Sequence, residues 1–205
     1  MSESAKSPLT YTNRCGKSHY FRTAQTSKGG IRYYITKSDN FPDLIDALPN
    51  GFEIYEDPYE GRVIFRKIVP CLVTEAEIES VKNAVERLSD LKDIMIQGEG
   101  DAIIVWISQF NYIDGLEENL TAEEAIEYFG ENVHLWKKYD DKFKFVLIDA
   151  KKRLFQAERR VYMSVGGAYM PLKEGKGSLL KLTMKFCPHM GRESYFHTVP
   201  EGFDE

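Results

Sequence analysis

A chain of 205 residues, 42% hydrophobic, 29% charged and 13% aromatic, has room for one large domain or two small ones and the balance of a globular protein rather than a low-complexity one. Its formal charge of −5 is segregated: +6 over residues 1–38, −4 over 39–70, −11 over 71–142 and +4 over 143–205. No run approaches the roughly 18 to 20 apolar residues of a membrane helix, and the start MSESAKSPLTYTNRCGK lacks the apolar stretch of a signal peptide, so membrane insertion and classical secretion are not expected.

Residues 1–13, rich in Ser and Thr, read as a disordered lead, with the fold starting near Arg14. Tyr20 to Thr26 and Ile31 to Lys37 read as a hairpin around Ser27-Lys28-Gly29-Gly30, since glycine supplies the positive φ of a tight turn. Phe41 to Leu48 predicts a short helical turn, ended by Pro49-Asn50-Gly51. Phe52 to Glu56 and Arg62 to Ile68 form a second hairpin around Asp57-Pro58-Tyr59-Glu60-Gly61. The capping box Thr74-Glu75-Ala76-Glu77 then opens a helix whose apolar stripe is Ile78, Val81, Val85 and Leu88.

Ile94 to Gln97 and Ala102 to Ser108 read as strands, the second one, Ile103-Ile104-Val105-Trp106-Ile107 at its centre, being apolar enough to be covered on both faces. A second capping box at Thr121-Ala122-Glu123-Glu124 predicts a helix to about Tyr139, weakened at Gly130. Phe143 to Asp149 and Leu154 to Met163 make a long hairpin with the basic tip Ala150-Lys151-Lys152-Arg153, and a Gly-rich loop leads into a third helix, Ser178 to about Cys187. These elements predict an α+β fold, with antiparallel β-hairpins forming one or two sheets packed against about three helices. The acidic stretch Asn111 to Leu120 is the expected boundary between subdomains 14–110 and 121–205, unless the two form one continuous domain.

No Gly-x-Ser-x-Gly elbow, phosphate loop or dinucleotide fingerprint is present. Cys15 with His19, Cys187 with His189, and His197 offer zinc-capable atoms, but Cys187-x-His189 is too tight for a typical pair; Cys187 reads as a small core residue and the histidines as surface groups. Asp140-Asp141, Glu117-Glu118 and Glu123-Glu124 sit in linkers and helix starts, where carboxylates favour the helix dipole without any catalysis. No catalytic residue, metal site or cofactor is therefore expected. Three cysteines in 205 residues cannot make a disulfide framework, which fits a reducing cytoplasm.

The N-terminal hairpin looks most like a binding surface: Lys17, His19, Arg22, Lys28, Arg32 and Lys37 interleave with Tyr20, Phe21, Tyr33 and Tyr34. Cations find phosphates and aromatic rings stack on bases, so a nucleic-acid face would use Lys17, Arg22, Lys28, Arg32, Tyr34 and Lys37. Lys151, Lys152, Arg153, Arg159 and Arg160 would extend it if the two hairpins lay side by side.

Leu48-Pro49-Asn50-Gly51-Phe52-Glu53-Ile54-Tyr55-Glu56, continuing through Arg62-Val63-Ile64-Phe65-Arg66-Lys67-Ile68-Val69-Pro70, resembles a family of uncharacterised bacterial proteins. The resemblance includes Phe145-Val146-Leu147-Ile148-Asp149 and the ending Met190-Gly191-Arg192-Glu193-Ser194-Tyr195-Phe196. It implies a bacterial cytoplasmic origin and brings no activity. The expected function is that of a non-enzymatic protein-interaction or self-association module, with nucleic-acid binding through the basic hairpin as the alternative and an enzyme of unknown class as a third.

Overall fold

In a computed structural model, residues 7–109, 122–130, 137–163 and 166–202 are described, and the chain divides into two compact units, residues 1–68 and 69–205.

In the first unit, β1 (Thr10–Thr12), β2 (Ser18–Gln25) and β3 (Ile31–Thr36) form an antiparallel sheet in the order β1-β2-β3. The strand β1 lies in what the sequence suggested was a disordered lead; pairing with Ser18–Tyr20 orders it, and Leu9 N–H donates to the Ile45 carbonyl. The hairpin turn is as expected, with Gly29 at φ 79°. The region 41–48 is not helical: Ile45 N–H donates to the Phe21 carbonyl and Thr23 N–H to the Asp43 carbonyl. Beyond the short β1, the edge of β2 needs a backbone partner, and this segment supplies it. A separate hairpin, β4 (Phe52–Glu56) and β5 (Val63–Lys67), contributes Phe52 and Phe65 to an aromatic cluster with Phe21 and Tyr33, ring centroids 5.0–5.6 Å apart.

A polar clasp completes this unit. The Glu56 carboxylate accepts from Tyr11 OH at 2.8 Å and from Arg14 N–H at 3.1 Å, and buried Asn13 Nδ2 donates to the Gly61 carbonyl at 2.7 Å.

The second unit holds a five-stranded antiparallel sheet built from β6 (Ile94–Glu99), β7 (Ala102–Ser108), β8 (Tyr139–Asp149), β9 (Leu154–Met163) and β10 (Gly166–Gly177), in the order β10-β9-β8-β7-β6. Buried on the sheet are α1 (Glu75–Leu88), with its Thr74 capping box, and α3 (Leu179–Phe186), capped by Ser178; α2 (Ala122–Phe129) is a short separate helix. Val81 and Val85 of α1 and Leu182 and Phe186 of α3 share a core with Ile103, Val105, Phe143, Phe145, Phe155 and Leu172. As its apolar run suggested, β7 is an inner strand, buried at all but one residue.

The α+β expectation is overturned. Among the described residues strand accounts for 43% and helix for 19%, with ten strands in three sheets, so the protein is mostly antiparallel β, and two helices, α1 and α3, rather than about three pack on the five-stranded sheet. Two segments cause the difference. The expected Gly-rich loop contains β10, an edge strand, where Pro171 and the glycines are tolerated because half the backbone needs no ladder partner; a register shift between Pro171 and Lys176 accommodates the irregularity. The helix expected to reach Tyr139 instead stops at Gly130, which adopts φ 81° and donates to the Ile126 carbonyl, and Tyr139 opens β8. The Thr121 capping residue and positions 131–136 lie outside the described residues.

The expected boundary, 111–120, also lies outside them. β7 and β8, on either side of it, are hydrogen-bonded neighbours, and the compact units meet in sequence at Ile68/Val69. Among the described residues no helix is long and apolar enough to cross a membrane.

Candidate functional site

The residues of the basic hairpin do not form one uniform surface. Register pairs Arg22 with Tyr34 and Ala24 with Arg32, which sets Arg22, Arg32 and Tyr34 on one face of the sheet. Arg22 is already engaged: its Nε lies 3.2 Å from Asp43 Oδ2, and its guanidinium is 4.4 Å from the Phe41 ring centre and 5.8 Å from that of Tyr34. Phe21 and Tyr33 are consumed by the aromatic cluster. Lys17 and Lys37 line a recess of about 320 Å³ with Cys15, His19 and Arg62, while Lys28 projects from the turn. Lys28, Arg32 and Lys37 are exposed and have no ion-pair partner among the described residues.

The backbone of β3 is equally informative. Phe21 and Thr23 spend their backbone groups on the 43–45 segment, so Arg22 and Ala24 face β3, and alternation directs the amides of Ile31, Tyr33 and Ile35 to the open edge. Ile31 and Tyr34 are 65% and 43% exposed along that edge.

The second basic set lies in the other unit and on another sheet. Lys151 and Lys152 N–H groups donate to Asp149 Oδ1 in the β8–β9 turn, and Arg153 pairs with Glu77 of α1. Arg153 thus ties a turn to a helix start. The bond to Arg153 and those to Thr74 outweigh burial, the largest single influence, and hold the Glu77 carboxyl below its ordinary pKa.

Arg159 and Arg160 belong to a different feature, a cleft of about 540 Å³ lined by Gln109, Asp140, Lys142, Arg159, Arg160, Val161, Tyr162, Tyr195 and Phe196. Lys142 Nζ bonds Asp140 Oδ2 at 3.0 Å and donates to Tyr162 OH at 3.2 Å, while Arg160 pairs with Asp141. Burial opposes the Lys142 charge, but the bonds to Tyr162 and Asp140 prevail and its pKa lies above that of an ordinary lysine. Tyr195 is buried; its hydroxyl donates to the Lys142 carbonyl at 2.9 Å, and its own carbonyl accepts from Arg159 Nη1 at 3.2 Å. Sequence reasoning named Arg159 and Arg160 for a nucleic-acid face and missed Gln109, Asp140, Lys142, Tyr162, Tyr195 and Phe196 as a group. No local spacing could reveal it, because the group is assembled from the residue following β7, from β8 and β9 and from the turn after α3.

The zinc-capable residues are divided between the two units. Cys15 and His19 sit in the first unit; Cys187 is buried in the core of the second, where burial pushes its thiol up to about 12, and His189 Nδ1 lies 3.0 Å from Ser194 Oγ. Such a thiol is neither a ready nucleophile nor a ready ligand. Among the described residues no three His, Cys, Asp or Glu side chains cluster as a metal site. Comparison with known protein families, with curated proteins and with solved structures finds no match.

Proposed function

We propose that this is a non-enzymatic interaction module that binds an extended acidic segment of another protein along β3. The observation supporting it is the edge of β3, open among the described residues, with outward amides at Ile31, Tyr33 and Ile35, exposed Ile31 and Tyr34, and the cations Lys28, Arg32 and Lys37, unpaired among the described residues. Strand addition uses main-chain hydrogen bonds for affinity and flanking side chains for selection. Exposed edges are normally blunted by charge. Here the charges blunt the edge selectively: two copies of β3 paired antiparallel about Tyr33 would bring Lys28 near Lys37, whereas an acidic strand meets complementary charge. With Cys15, Cys71 and Cys187 in no disulfide, the protein suits a reducing cytoplasm.

The test is fluorescence anisotropy of the full chain with a labelled alternating Glu/Val octapeptide, the matching Lys/Val peptide, and single-stranded DNA. Expected are saturable binding of the acidic peptide alone, slowed amide exchange at Ile31, Tyr33 and Ile35, and roughly tenfold weaker binding in Arg32→Glu, the size of one lost charge-assisted contact. Salt-sensitive binding of DNA in preference to the acidic peptide would overturn this reading in favour of a nucleic-acid module.

A further inference from the structure

The cleft of the second unit is independent of the strand edge, and its charges do not cancel. Of its three cations, Lys142 is compensated by Asp140 and Arg160 by Asp141; Arg159 has no carboxylate partner among the described residues. Its guanidinium touches the Tyr195 carbonyl and the Tyr195 ring, 5.7 Å from the guanidinium carbon, and its Nε is buried with no hydrogen-bond partner among the described residues. A half-buried guanidinium without a carboxylate partner favours an anion at its remaining donors, because the lost hydration is not replaced by a protein carbonyl alone. The positive excess therefore selects a negative ligand group at Arg159.

The apolar part of the cleft specifies the rest of the ligand. Tyr162 and Phe196 are 61% and 67% exposed, an unusual state for two rings lining one recess, and offer faces on which a planar ring can stack. The structure holds this arrangement firmly at its base. Tyr195, buried, is bonded at both ends, Phe196 packs edge-on against it with centroids 5.7 Å apart, and Lys142 is anchored to Asp140 and Tyr162. Gln109 and Asp140 add an amide and an acceptor able to read the polar edge of a ring. A volume of about 540 Å³ lies within the range of small-molecule sites, roughly 300 to 1,000 Å³. It is larger than an inorganic anion requires.

We propose that this cleft binds a small phosphorylated aromatic molecule of mononucleotide size, its phosphate on Arg159 and its ring between Tyr162 and Phe196. The experiment is calorimetric titration of the full chain at low salt with the four ribonucleoside 5′-monophosphates, with inorganic phosphate, and with the parent nucleosides. The expected result is binding of at least one nucleotide about tenfold or more tighter than either phosphate or its nucleoside, since each half alone forgoes one charge-assisted or stacking contribution. Arg159→Gln should weaken nucleotide binding by about tenfold or more, and Phe196→Ala by several-fold while leaving any phosphate binding unchanged. Because Arg159 also holds the Tyr195 carbonyl, the exposed Phe196→Ala variant keeps the test valid if Arg159→Gln fails to fold. No nucleotide binding at millimolar concentration, phosphate binding as tightly as every nucleotide, or nucleotide binding indifferent to Phe196→Ala would each overturn the proposal.

Discussion

The two units solve the same problem by different means. The second buries a large apolar core, in which Ile103, Val105, Phe145, Ala157, Leu172 and Leu182 are inaccessible and two helices close one face of a five-stranded sheet. Among the described residues of the first, the buried hydrophobic side chains are Phe21, Pro58 and Val63, and its sheet and hairpin are held by an aromatic cluster and by the Glu56 clasp. Apolar burial scales with area, so a unit of 68 residues with three-stranded and two-stranded sheets gains little from it. Charge-assisted hydrogen bonds make up part of the difference, which leaves the smaller unit sensitive to changes that the larger would not feel.

The comparison can be broken most severely at Phe145. Replacing it with Ala removes a fully buried ring and should cost about 3 to 5 kcal/mol, read by urea unfolding followed through tryptophan fluorescence, since both tryptophans, Trp106 and Trp136, are in the second unit. If the first unit's tyrosine signal moved equally, the two would not be separate folding units. Next in size is Glu56→Ala, which leaves Tyr11 OH and the Arg14 amide without their carboxylate and should cost about 1 to 3 kcal/mol in the first unit with no change in the tryptophan transition.

A smaller effect is expected in alkali. Burial, then the bond to the Glu56 carboxylate, pushes the Tyr11 phenol from 10.0 up to about 12. A raised folded pKa gives stability that is complete below pH 10 and lost as pH rises through about 12, so the first unit should weaken over that window and Tyr11→Phe should flatten the loss. The smallest is Thr74→Ala, about 1 kcal/mol in the second unit from the lost helix cap. Glu77, held below its usual 4.5, adds stability that is complete above that pH and declines as pH falls through its lower folded value; Glu77→Gln should remove this acid dependence in a thermal-melt series.

What was readable from the sequence was local. The Thr74 box, the Gly29 turn and the apolar run of β7 declare themselves within a few residues, because capping, φ preference and two-sided burial act on the segment that carries them. Arg159 and Arg160 could be noticed only as charges. Partner choice was decided by tertiary structure: β10 is a strand because β9 pairs with it, 43–45 is extended because β2 has spare backbone groups, and Arg22 is occupied because Asp43 and Phe41 close on it. The cleft needs Lys142, Arg159 and Tyr195 at one place, and only the register of β8 with β9 and the turn after α3 bring them there. Contacts between residues tens of positions apart depend on chain closure and shared burial, which leave no periodic mark in either segment alone.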